Sequence, residues 1–170
     1  MIAIADTSFL IDWVRYSRRE LIFQIFELIY IPEAVFNEVR SERTLLWIAE
    51  GLENNRIAVF PEVPQIRDEA LRLVYETRRL PVRSVDYPEA YCVVVGKSLG
   101  YTVLTENGGA VALVRYYNEY SNVKVMRALE VLVELKNRGI ISDIKAEIEK
   151  YTRETGHLFS NRDLSKYDIE

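Results

Sequence analysis

The chain has 170 residues, 22 Lys and Arg against 26 Asp and Glu, and a net charge of −4. That length sustains one hydrophobic core, and 49% hydrophobic residues with only 7 Gly and 5 Pro exclude a disordered or fibrous chain. One cysteine, Cys92, and one histidine, His157, exclude a disulfide framework, a Cys-based zinc cluster and a multi-His metal site within one chain.

Ile2 to Ala5 is a short apolar run ending at Asp6, the pattern of a strand buried on both faces. Asp6-Thr7-Ser8 supplies N-cap chemistry for a helix that begins with Phe9-Leu10-Ile11 and continues through Trp13-Val14. Arg15, Arg18 and Arg19 form a basic cluster, and the apolar run Leu21 to Ile29 predicts a second helix. Tyr30-Ile31 reads as a strand end before Pro32, which suits the start of a helix over 32–39. A helix over 44–53 and a strand over 57–60 follow, then a loop punctuated by Pro61 and Pro64 and a helix over 66–78. Residues 80–87 read as irregular. Pro88 opens a helix through Leu99, stopped by Gly100, and Tyr101 to Leu104 is the next strand. Gly108-Gly109 turns into a short helix over 110–117, and 123–125 reads as one more strand. Helices over 126–138 and 142–155 precede a polar tail from Gly156. Short apolar strands alternating with helices predict an α/β fold with a mostly parallel sheet. The chain reads as a single domain over 1–170, with 126–170 as a helical C-terminal extension.

No apolar run approaches the roughly 20 residues that span a bilayer. The opening MIAIADTSFLID lacks a basic n-region and a long apolar h-region. The expectation is a cytoplasmic protein without membrane partners. The acidic balance argues against a simple basic nucleic-acid-binding module. What remains for chemistry is carboxylate oxygen, which suits Mg²⁺ or Mn²⁺.

Ligands of open α/β sheets bind beyond the carboxyl ends of the strands. Asp6 and Glu106 follow two predicted strands there, and Glu38 and Glu89 lie near the N-termini of helices that start at the same rim, with Asp86 just before Glu89. Acids converging from distant segments call for a cation, and a divalent ion there suits phosphodiester hydrolysis. The competing reading of Asp6 is an N-cap, of Glu38 a solvated helix face, of Glu89 a helix-dipole partner and of Glu106 an ordinary loop acid.

IAIADTSFL (2–10) resembles the first strand and DTS motif of PIN-domain ribonucleases. IPEAVFNEV (31–39) resembles their second motif, with its Glu at Glu38; EAYCVVVGKSLG (89–100) resembles the third and YTVLTEN (101–107) the fourth. RALEVLVELKNRGIISD resembles the C-terminal helices of some archaeal and bacterial PIN proteins. The resemblance implies a three-layer α/β/α Rossmann-like sandwich. It also implies a metal-dependent single-strand endoribonuclease, often the VapC-like toxin of a toxin–antitoxin pair, with an antitoxin partner and a homodimer. On that basis Asp6, Glu38, Glu89 and Glu106 are the candidate catalytic acids. The same residues, with Asp86 and Asn107, are the candidate metal ligands, Asp86 and Glu89 remaining alternatives for the third acid. Asn107 departs from the family pattern, which commonly has an acid there. Thr7, Ser8 and Thr105 would orient the carboxylates.

Arg15, Arg18, Arg19 and Arg79, with Arg78 and Arg83, are candidate RNA-phosphate ligands. Tyr16, Tyr87 and Tyr91 are candidates to stack bases. Cys92 reads as a core residue and His157 as a surface one. The rival readings are a weakened PIN-like module that binds RNA or a protein without cleaving, and a phosphoryl-transfer protein using Asp6.

Overall fold

The computed structural model describes residues 1–81 and 83–169. Five strands, β1 (Ile2–Ala5), β2 (Leu28–Pro32), β3 (Ile57–Phe60), β4 (Thr102–Leu104) and β5 (Val125–Met126), form an all-parallel sheet in the order β3-β2-β1-β4-β5. The helices are α1 (Thr7–Trp13), α2 (Glu33–Glu38), α3 (Glu42–Glu53), α4 (Pro64–Thr77), α5 (Tyr87–Leu99), α6 (Gly108–Tyr116), α7 (Ala128–Asn137), α8 (Ile144–Thr155) and α9 (Asn161–Ser165). Helices flank the sheet and complete an α/β/α sandwich. The chain winds from β1 through β2 to β3, then returns to the other side of β1 for β4. The order therefore reverses between β1 and β4, where the crossovers leave a crevice.

The central strands are buried as their composition demands: Ala3, Ile4, Ala5, Val103 and Leu104 are all 0% exposed. Above them α5 is buried over nearly its whole length, which explains its run Ala90 to Gly96 without a polar face. It ends at Gly100, whose φ of +72° closes the helix in the left-handed region that glycine adopts without cost.

Three expectations are corrected. The helix over 21–29 is instead a 3-10 helix at Arg19–Gln24, after which Leu28 already begins β2. Ile29, Tyr30 and Ile31 fit a pleated surface, and pairing with both β1 and β3 outweighs the helical spacing of the run before them. The last strand starts at Val125, because pairing with Val103 and Leu104 decides which residues of the apolar stretch enter the sheet. The polar tail from Gly156 carries one more short helix, α9, capped by Ser160, which accepts from the Asp163 amide at 3.1 Å. His157 is packed inside, with 14% of its side chain exposed, against Tyr151 and Phe159.

The C-terminal helices dock through an aromatic cluster. Trp13 stacks on Phe9 at 5.4 Å and meets Tyr16 and Tyr151 at 5.3 and 5.7 Å. Beside them Glu147, 6% exposed, accepts from the Tyr16 hydroxyl and the Arg18 guanidinium.

Candidate functional site

Asp6 stands at the crevice. It ends β1, its amide donates to Leu104 O at 3.0 Å, and its side chain is 0% exposed. Oδ1 accepts from the Phe9 amide at 3.0 Å and the Ser8 hydroxyl at 2.7 Å; Oδ2 accepts from the Thr105 hydroxyl. Asp6 therefore does cap α1, as the plainer reading of the sequence had it. A solvated cap needs no such enclosure. Burial raises its pKa from 3.8 to about 6, against the lowering effect of those hydrogen bonds.

Glu89 occupies the first turn of α5. Its Oε1 accepts from Asn107 Nδ2 at 3.2 Å, and its Oε2 is buried without a partner. Desolvation raises its pKa, and the charges of Asp6 and Asp86 add to the rise. Two partly desolvated carboxylates thus act on each other at the switch point, which is costly unless a cation or a proton joins them. Cys92 lies fully buried beneath; burial first, then the charges of Asp6 and Glu89, push its thiol up. It is a core residue, as its setting in an apolar helix predicts.

The other acids have different partners. Glu38, expected near a helix N-terminus, instead ends α2, because the helix spans only the six residues Glu33–Glu38; it is exposed and accepts from the Thr7 hydroxyl at 2.7 Å, one residue from Asp6. Asp86 is exposed and lies 3.9 Å from Arg78. Glu106 is turned away from Asp6 toward the C-terminal helices. It accepts from the Ala128 amide at 2.6 Å and Arg127 Nε at 3.2 Å, and lies 3.6 Å from His157 Nε2. Its backbone amide donates to Ser8 Oγ at 3.0 Å. Asn107 caps α6, Oδ1 accepting from the Gly109 amide at 2.7 Å and from Ala110 at 3.4 Å. Its carbonyl is committed there and its amide group holds Glu89. Gly109 permits that cap, because a Cβ would meet Ser84 O at 2.5 Å and Asn107 Oδ1 at 2.9 Å. Arg127 and His157 as partners of Glu106 carry no local sequence signal, because both arrive from the distant C-terminal segment.

Among the described residues, no group of three or more His, Cys, Asp or Glu side chains is gathered so as to hold a metal ion. The donor set nonetheless fits Mg²⁺ or Mn²⁺. Such ions commonly bind one or two carboxylates and take their other oxygens from water and substrate phosphate. The buried Glu89 Oε2, without a hydrogen-bond partner, is one such carboxylate oxygen not already engaged.

The candidate phosphate ligands near α1 are engaged within the protein. Arg15 donates to Thr155 O at 3.3 Å and Arg18 pairs with Glu147, while Arg19 lies 3.6 Å from Glu20 with its Nε buried and without a hydrogen-bond partner among the described residues. Arg79 donates to the Tyr75 hydroxyl at 2.9 Å and lies over its ring. Tyr16 and Tyr91 are buried and unable to stack a base, and Tyr87 is half-buried with its hydroxyl on Glu62.

These settings dictate a pH response. The native chain keeps the Asp6 proton to about pH 6, whereas the unfolded chain releases it near 3.8, so stability falls as pH rises between the two. His157 is raised above 6.5, first by its hydrogen bond to Asp12. Its stabilising contribution is complete below pH 6.5 and is lost as pH rises through its folded value. Calorimetry in EDTA should therefore show a melting temperature higher at pH 5.5 than at pH 8, with Mn²⁺ recovering the loss attributable to Asp6 and Glu89 at pH 8. A rise from pH 5.5 to 8 would contradict both assignments.

No helix among the described residues is long and apolar enough to cross a membrane. No curated protein matches the chain. A family model described as DUF3368, PIN domain, matches residues 2–166.

Proposed function

The chain belongs to the PIN-domain family, and from that premise we propose that it is a Mg²⁺- or Mn²⁺-dependent endoribonuclease that hydrolyses RNA phosphodiester bonds. PIN domains are in general nucleases that use divalent metals. The observation that carries the reading is the buried, unpartnered Glu89 Oε2 beside the buried Asp6 at the sheet's switch point. Asp6 and Glu89 would hold the metal, with Glu38 closing the rim through Thr7. Bound there, a divalent ion supplies Lewis-acid polarisation of the phosphate and a lowered pKa for a nucleophilic water. The chain's own residues do the rest. Thr105 and Ser8 hold the two Asp6 oxygens, Asn107 fixes the Glu89 carboxylate, and the apolar floor under them excludes bulk water. We further propose that residues 1–170 form one domain with 126–170 as its helical extension. A toxin role, an antitoxin partner, a homodimer and a cytoplasmic location are proposals that rest on the family resemblance.

A single-stranded RNA incubated with the chain should be cut in Mn²⁺ and left intact in EDTA, and Glu89→Gln should remove the cutting without lowering the melting temperature. Equal cutting by Glu89→Gln and the parent chain would overturn the reading. One observation favours a second reading, a weakened module that binds without cleaving: Asn107 stands at the fourth motif with its carbonyl used as a cap, and the adjacent Glu106 is bound to Arg127. Calorimetric titration with Mn²⁺ separates the two, since a weakened site takes up no ion.

A further inference from the structure

Two cavities of about 430 and 510 Å³ adjoin along α6, sharing Val111, Arg115 and Arg127. The second reaches the loop carrying the site, where Glu106 and Gly108 line it; the first runs on to α9 and Arg162. Three carboxylates lie in this groove and all are already engaged. Glu106 pairs with Arg127; Glu130 accepts from the Arg127 amide and the Tyr167 hydroxyl; Asp163 pairs with Arg127 and Lys166. Arg83, Arg115 and Arg162 are exposed and make no ion pair with a described residue. Among the described residues that line the groove, Arg83, Arg115, Arg127, Arg162 and Lys166 outnumber those three carboxylates, so its lining is net positive in a chain whose net charge is −4. Arg83 reaches the start of α6, its Nη1 3.1 Å from where a Gly108 Cβ would stand. Tyr116, 52% exposed, lines the same cavity. Free guanidinium groups beside an open aromatic face match a phosphate backbone carrying stackable bases better than an acidic peptide, which has no use for the ring.

We propose that this groove between α6 and α9 is the track on which a single strand of RNA lies as it enters the site, with Arg83, Arg115 and Arg162 on successive phosphates and Tyr116 under a base. The proposal rests on the nuclease reading for its choice of RNA. Its test is binding in EDTA, so that it does not depend on cutting.

Anisotropy of a short fluorescein-labelled single-stranded RNA, measured between about 50 and 200 mM salt, reads both affinity and the number of phosphates neutralised. Arg115→Gln with Arg162→Gln should weaken binding about tenfold and make the log K against log salt slope shallower by about 1.4, as two lost phosphate contacts on a single strand require. Tyr116→Ala should weaken binding by a similar factor with the slope unchanged. All the altered side chains are exposed, so circular dichroism melts should match those of the parent chain. Unchanged affinity and slope in the Arg pair would overturn the track. So would an equal loss from Arg43→Gln with Arg56→Gln, exposed charges on α3 and beside β3 at the opposite edge of the sheet, or displacement of the RNA by polyglutamate at equal charge. If the Arg pair loses binding but the parent chain never cuts RNA, the track stands and the nuclease reading falls. If cutting is intact and binding is unmoved, the reverse holds.

Discussion

Asp6→Asn is expected to lower RNA cleavage at least about a thousandfold and, in EDTA at pH 8, to raise the melting temperature by several degrees. The two effects have one cause. Asp6 is fully buried, and its ionised form is disfavoured enough to bring its pKa to about 6. Roughly two pKa units correspond to about 3 kcal/mol of native-state cost once the group is ionised. Asparagine keeps the shape and one acceptor for the Ser8 hydroxyl and the Phe9 amide. Its amide nitrogen can donate to the Thr105 oxygen, since a hydroxyl accepts as readily as it donates. The substitution removes the charge and its cost while leaving the cap of α1 intact. It also removes the negative oxygen a divalent ion needs, and losing about 4 kcal/mol of transition-state stabilisation is a thousandfold in rate. Cleavage assays and metal-free thermal melts measure the two halves separately. Full activity would place the chemistry elsewhere, and a lower melting temperature would mean that the Asp6 charge is compensated in the native state.

Trp13→Ala is expected to cost about 3–5 kcal/mol of stability, the range for deleting a large aromatic from a packed core. For a chain of this size that is a fall of roughly 10 °C in melting temperature. Trp13 is 0% exposed and packs on Phe9, Tyr16 and Tyr151, while its Nε1 donates to Arg19 O at 2.9 Å. It thus joins α1 to α8 and to the turn after α1. Loss of the ring opens a cavity and leaves the Arg19 carbonyl without that donor, and the two costs add. Urea unfolding gives the value directly. A loss below about 1 kcal/mol would show that the cluster collapses around the gap and that other contacts dock the C-terminal helices.

Much of the fold was legible before the structure because local rules and tertiary packing agreed. Ile2-Ala3-Ile4-Ala5, with no polar residue, reads as a strand covered on both faces, and Asp6-Thr7-Ser8 as the start of a helix, and the structure has both. Gly100 stopped α5 for a reason visible in the residue itself. The apolar run over 21–29 was not legible, because its spacing allows a helix and only pairing between β1 and β3 draws Leu28–Pro32 into the sheet. The short helix α9 in the tail was equally hidden. His157 reads as a solvated polar residue until Tyr151, Phe159, Asp12 and Glu106 surround it.

The carboxylates divide in the same way. The positions of Asp6 and Glu106 after strands and of Glu89 at a helix start follow from sequence, whereas Glu38 ends a helix of only six residues. Which way each side chain turns does not follow. Glu106 lies one residue beyond Thr105, which touches Asp6, yet the arrival of Arg127 and His157 draws it to the other side of the loop. Arg18 reads as a free cation and is held by Glu147, 129 residues away.

The sequence by itself determined the class of fold and the order of the motifs, and it narrowed any metal site to oxygen ligands, because one Cys and one His leave no other ligand set. Only the tertiary structure decided which charges are available. An ion pair or an orphaned oxygen is a property of distance and burial between segments far apart in the chain. Among the described residues, the structure leaves Glu89 Oε2 without a partner and Arg83, Arg115 and Arg162 without an ion pair in one groove, while it commits Glu106 and Arg18 to holding the C-terminal helices.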